Sequence, residues 1–246
     1  AIDALHRVLA VNPADATAKK ALAQAFRAAG MPDSAQAIER QLVAAAGDTS
    51  VAGGDEGVSE ADLMDIAVKQ FNDKNYAEAA GTFGRLISIN PWNRDAIFNQ
   101  ANAYLALQDG ARLAASAEKL IGIEPLSEYA YSLRAQGYKL VSKQDDLLKV
   151  IVAREALPVN LEVESIRVTA DGATLSAKVT GREARDENNK LIPVRALTVL
   201  VEFLSMDGAV VASQNVPVAT LKPGESAPFK AEGKATGIKS WRYRLQ

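Results

Sequence analysis

The chain predicts an α + β multidomain protein, an N-terminal all-α superhelix of repeated helical hairpins over residues 1–158 and a C-terminal antiparallel β-sandwich over 159–246. Three observations carry this. Prolines recur at a near-constant interval after amphipathic runs, a single Gly, Ser, Asp and Glu tract accounts for the one longer gap, and after Pro158 the apolar spacing changes from helical to strand-like.

Pro91 and Pro125 lie 34 residues apart, ending the runs ISINP and IGIEP. Pro158 follows 33 residues later, and Pro13 precedes Pro91 by 78, which is two periods and ten residues. The ten are Asp48 to Gly57, DTSVAGGDEG, a flexible insert by composition. The units are therefore a partial one at 1–13, then 14–47, the insert 48–57, 58–91, 92–125 and 126–158. Ala67, Phe71, Tyr76, Ala79, Phe83, Leu86 and Pro91 occupy the packing positions of the unit that starts near Glu60. From Arg94 the corresponding places hold Ala101, Tyr104 or Leu105, Ala114, Ala117, Leu120 and Pro125. Small residues at a helix crossing let two backbones approach, and an aromatic fills the space beside them.

These residues resemble the tetratricopeptide repeat, a 34-residue helix-turn-helix with a proline after its second helix. The resemblance implies a superhelix whose groove, lined by the first helix of each unit, takes a peptide or protein partner. In that register the groove residues are Lys20, Gln24 and Arg27, then Met64, Val68 and Phe71, then Phe98, Asn99, Asn102 and Leu105, then Tyr129, Gln136 and Lys139. Family members that grip a C-terminal carboxylate use a Lys, Asn and Arg set; here only Asn99 matches, so that specialisation is not implied. Ala1 to Pro13 matches only a second helix, and no basic-then-apolar leader opens the chain, so the sequence reads as a mature or trimmed form.

Beyond Pro158, LEVESIRVT, ATLSAKVTGRE, ALTVLVEFLS, AVVASQNVPV, SAPFKAEG and GIKSWRYRL read as strands, separated by turn signals at Asp171-Gly172, Asp207-Gly208 and Pro223-Gly224. Short strands without an intervening helix argue for a sandwich. Val201 to Glu232 resembles the immunoglobulin-like FxLYD sandwiches of bacterial exported proteins, through Phe203, Asp207, Gly208, Leu221, Pro223, Gly224 and Glu225; Ser205 and Met206 replace that family's Leu and Tyr. That resemblance implies an extracytoplasmic setting, periplasm or cell surface, with the cytoplasm also open.

The chemistry available is narrow. The 246 residues include no cysteine and a single histidine, His6, and the net charge is −2, so thiolate and histidine-rich sites are excluded and no strong pull on nucleic acid is expected. No apolar run reaches the length of a membrane span. Asp62/Asp65 and Asp145-Asp146 sit where acidic residues favour a helix N-terminus. RDENNK, residues 185–190, lacks calcium-loop spacing and reads as a loop. WRYRL reads as an edge strand with Trp241 and Tyr243 inward and arginines outward. Neither a catalytic group, a cofactor site nor a metal site is expected. The leading function is a non-enzymatic interaction scaffold; the alternatives are a subunit of a head-to-tail homopolymer or surface assembly, and a hydrolase with an interdomain site.

Overall fold

The computed structural model of the chain describes residues 2–11, 16–29, 31, 34–35, 38 and 59–246. The insert 48–57 and the side chains of His6, Lys20 and Arg27 lie outside the described residues.

Three non-glycine residues held in the left-handed region, Lys74 (φ 63°), Gln108 (φ 55°) and Ser142 (φ 57°), recur at intervals of 34 residues, the difference between successive numbers. Each follows a helix, and the next residue donates its N–H five residues back: Asn75 to Gln70 O at 2.8 Å, Asp109 to Tyr104 O at 2.9 Å and Lys143 to Tyr138 O at 3.0 Å. That is the Schellman closure of a helix C-terminus, so one local device turns the chain in each unit. The helices are α1 (Ile2–Val11), α2 (Ala16–Ala28), α3 (Glu60–Asn72), α4 (Tyr76–Ile89), α5 (Arg94–Ala106), α6 (Gly110–Ile123), α7 (Glu128–Leu140) and α8 (Gln144–Glu155). The first helices α3, α5 and α7 start at the same interval, at Ser59, Asn93 and Ser127, whereas of α4, α6 and α8 only α6 has a side-chain cap. Asn93, Asp109 and Ser127 each accept a backbone N–H three residues on, and Ser59 forms a reciprocal capping box with Asp62.

From α3 to α8 each helix packs on its sequence neighbours, giving stacked tetratricopeptide-like hairpins. Ala67, Ala79, Phe83, Leu86, Ala101, Tyr104, Ala114, Ala117 and Leu120 are all buried at the crossings. Gly110, at the end of the Gln108-Asp109-Gly110 turn signal, is the first residue of α6. It needs no special φ; it lets α6 approach Gly137 of α7. In the N-terminal part, Leu22, Phe26 and Ala35 form a small cluster with Ile2, Leu5, Leu9 and Ile38.

The rest of the chain forms two antiparallel sheets from β1 (Val159–Val168), β2 (Ala173–Gly181), β3 (Leu197–Leu204), β4 (Val210–Val218), β5 (Ser226–Gly233) and β6 (Ser240–Leu245). Their orders are β1-β2-β5 and β4-β3-β6. Alternation selects the inner faces: Leu161, Leu175, Ala177, Phe229 and Ala231 from the first sheet, and Val199, Val201, Phe203, Trp241 and Tyr243 from the second, belong to one core. In β6, Trp241 and Tyr243 do point inward opposite Phe203 and Val201, while Arg242 and Arg244 hold Glu202 on the outer face at 2.6 and 3.0 Å. RDENNK lies in the β2–β3 connection, where the Asp186 carboxylate accepts the N–H of Asn188 and Lys190. That core is continuous with the one between the helices, running from Leu63 to Tyr243.

Candidate protein-binding groove

The first helices of the units, α3, α5 and α7, lie side by side and expose one row of side chains. On α3, Met64 and Phe71 are half-buried against the core and Val68 is exposed; the Phe71 ring meets Tyr76 edge-on at 5.2 Å. On α5, Phe98 lies under the Arg94 guanidinium at 4.5 Å and beside the Tyr129 ring of α7 at 5.4 Å. The Tyr129 hydroxyl donates to Asn102 Oδ1 at 2.9 Å, and Asn102 Nδ2 donates to Phe98 O at 3.0 Å. Phe98, Asn102, Tyr129 and Arg94 are thus one cluster, with Tyr129 still 48% exposed.

The other residues of the row stay apart from that cluster. Asn99 donates to Asp95 O of its own helix at 2.9 Å, Leu105 is half-buried, and Gln136 and Lys139 are exposed further along α7. Gln24 is exposed on α2, next to the separate Leu22 and Phe26 cluster; Lys20 and Arg27 are the two groove side chains outside the described residues. Both groove asparagines spend a donor on their own helix, which leaves less hydrogen-bonding capacity than their residue type suggests.

At the N-terminal ends of these first helices, the turns that join one unit to the next meet the sheets. Residue one of each first helix bonds to the residue that ends the second helix, thirty positions on. Glu60 accepts from Asn90 Nδ2 at 3.2 Å, and Arg94 pairs with Glu124 at 2.8 Å. In the last unit position 158 is proline, and a residue just after β2 supplies the partner instead: Arg182 pairs with Glu128 at 2.9 Å. Its guanidinium also donates to Arg154 O and Leu157 O, satisfying carbonyls at the end of α8. Further contacts fix the same edge: Leu161 N–H to Leu126 O at 3.0 Å, Glu128 N–H to Asn160 Oδ1 at 2.9 Å, and Arg242 4.8 Å above the Trp92 ring. Trp92 fits there because residue 208 is glycine; a Cβ on Gly208 would lie 2.4 Å from the indole nitrogen.

Glu124 is the electrostatic centre of this joint, 1% exposed, whereas the Arg94 side chain is 23% exposed. Burial pushes the Glu124 carboxyl above its ordinary value, and Arg94 offsets this only in part. Burial would lower Arg94, but Glu124 and Asp95 outweigh it and hold the guanidinium up. The desolvation cost therefore falls on the deeper partner. Tyr243 is buried beside this pair, and burial keeps its phenol well above the usual range. The sequence reading missed Asn90, Glu124 and Arg182, although the first two precede the repeat prolines and were marked by the period.

Arg182→Met should cost about 1.5–3 kcal/mol, the range for hydrogen bonds to a charged group, because Glu128 and the carbonyls of Arg154 and Leu157 lose a charged donor. Calorimetry should then resolve separate helical and sheet transitions, whereas a single transition is expected of the unaltered chain, whose core is continuous.

No protein-family model and no curated protein matches the sequence. Among solved structures, the chain is similar to MamA at 19% identity over 62% of this chain and 84% of that one, with a TM-score of 0.37. MamA 41-end from Desulfovibrio magneticus RS-1 is 15% identical over 58% of this chain and 75% of that one, with a TM-score of 0.38. A chain of the CopN–Scc3 complex is 11% identical over 47% and 75%, with a TM-score of 0.39. The tetratricopeptide-like class of the helical region rests on the chain's own 34-residue period rather than on these likenesses.

Proposed function

We propose that the chain is a non-enzymatic interaction scaffold, in which the row of first helices binds a peptide or protein partner and an immunoglobulin-like sandwich of the FxLYD type, residues 159–246, braces the stack. The observation that carries this is the division of labour between two edges of one stack. Successive inter-unit turns touch the sheets through Asn90, Trp92 and Leu126, while the first-helix row keeps Val68 and Tyr129 in solvent. Glu124 and Glu202, the two buried carboxylates among the described residues, are each tied to arginine, which supports a structural rather than a hydrolytic role. We place the protein outside the cytoplasm, in the periplasm or at the cell surface, on the FxLYD resemblance.

Affinity capture from the source organism tests the groove. The double variant Phe98→Ala/Tyr129→Ala should lose the partners that the unaltered chain retains, with a far-ultraviolet spectrum showing the helices intact. Capture of the same partners by both would refute the groove.

Self-association is a second reading, favoured by the outward flank of α8, where Leu148 is 60% and Val152 38% exposed. Sedimentation velocity should show concentration-dependent association that Leu148→Glu abolishes; a monomer at every concentration rejects this reading.

A further inference from the structure

Where the α3 and α5 ends of the stack meet the sheets there is a crevice of about 190 Å³ walled by Met64, Trp92, Trp241, Ile166 and Val168. Pockets that enclose a cofactor-sized ligand run to roughly 300–1,000 Å³, so this one suits a single side chain of a longer molecule. Ser240 lines it, is only 6% exposed, and its hydroxyl has no hydrogen-bond partner among the described residues. A buried hydroxyl without a partner is a standing cost that a main-chain N–H or C=O of a ligand, though not an apolar side chain, would relieve.

Two further features border the crevice. The first is an open strand edge: β1 is the end strand of its sheet, Leu161 spends its outward N–H on Leu126 O, and no described strand or loop pairs with that edge from residue 162 to 168. Ile166 and Val168, opposite Leu175 and Ala173 in the register, come from this open part, and Val168 is 48% exposed. The second is charge. Arg94 and Asp95 at the crevice pair with each other at 3.2 Å, whereas the exposed Lys239 amine has no ion pair among the described residues.

We propose that this crevice is an anchor pocket for one apolar side chain of an extended partner segment, which adds as a strand to the open edge of β1 and presents an acidic residue to Lys239. The main chain of such a segment supplies the bonds the edge lacks, and alternate side chains supply the selectivity. This rests on the interaction reading above; the crevice adjoins the first-helix row at Met64 and Arg94 but opens on the sheet edge, and neither Phe98 nor Tyr129 lines it.

The chain's two tryptophans, Trp92 and Trp241, both line the crevice, so its two indole N–H resonances report binding there directly. The probe is the blocked peptide acetyl-Thr-Phe-Thr-Asp-Thr-Val-Thr-amide, compared with the same peptide carrying alanine for phenylalanine. Titration into the full chain should shift both indole resonances to saturation, with the alanine peptide weaker by about tenfold or more, as expected when an anchor is lost. Val168→Lys should weaken the phenylalanine peptide by a similar factor of about ten, Lys239→Glu by roughly fivefold, and Phe98→Ala should leave it unchanged. Val168 and Lys239 are solvent-exposed, so these variants keep the fold. Indole resonances that stay fixed at millimolar peptide, or equal affinity for both peptides, would overturn the crevice. The groove would still stand if Phe98→Ala/Tyr129→Ala loses the captured partners.

Discussion

Arg94→Ala should be among the most damaging single substitutions in the protein, costing about 3–5 kcal/mol because it leaves the Glu124 carboxylate buried without its counter-charge. For a chain of this length that is a fall in Tm of roughly 10 °C. The cost should depend on pH with a definite sign. Burial already raises the folded-state value of Glu124, so the folded chain keeps that proton to higher pH than the unfolded chain does. Above the ordinary carboxylate range the folded state then binds more protons, and stability falls as pH rises. Removing Arg94 lifts the folded value further and widens that window. The Tm difference between Arg94→Ala and the unaltered chain should therefore be larger near about pH 8 than near about pH 5. The double variant Arg94→Met/Glu124→Leu should recover most of the loss, because an apolar pair of similar volume carries no desolvation cost. A loss of equal size at both pH values would show that Glu124 is not the group left stranded. Arg94 also lies over Phe98, so groove binding should weaken in the single and the double variant alike.

The same residue shows what could and could not be read from the chain. The period was legible because it is written in local chemistry: prolines at 91, 125 and 158 after second helices, alanines at the crossings, and turns that the backbone closes within five residues. The strands were legible because apolar residues alternate where one face is buried, as in β2 and β5, and cluster in β3, where Val201 to Leu204 are all buried. Arg94 and Glu124 look in sequence like ordinary surface charges, thirty positions apart. Their pairing becomes a buried feature only when β6 arrives with Tyr243, more than a hundred residues later. Of the groove residues, the Phe98, Asn102 and Tyr129 cluster forms across two helices, which a register argument can place on one face but cannot join by hydrogen bonds. The crevice drew on residues from both halves of the chain, so nothing in either half alone marked it.

Gly137→Ala tests the packing of the repeat itself, and its effect should be of the same order. A methyl group on Gly137 would lie 2.6 Å from Ala114 N and 2.8 Å from Gly110 O. Those atoms belong to the backbone of α6, so no rotamer change can make room and the two helices must separate. Alanine is a better helix former than glycine by about 0.8–1.0 kcal/mol, which works in the opposite direction. Overpacking of a close contact costs about 1–3 kcal/mol, occasionally more, and backbone on both sides puts this case at the upper end. A net loss of about 2 kcal/mol should follow in urea unfolding, from the difference between those two terms. Gly122→Ala is the matched control, since a Cβ there meets nothing within 4 Å and only the propensity gain remains. Movement of α7 against α6 would also carry Tyr129 away from Phe98 and Asn102, because those partners sit on neighbouring helices of the stack. Gly137→Ala should therefore weaken partner capture although residue 137 is buried and touches no ligand. If stability fell while capture stayed unchanged, the binding row would not depend on how closely α6 and α7 approach.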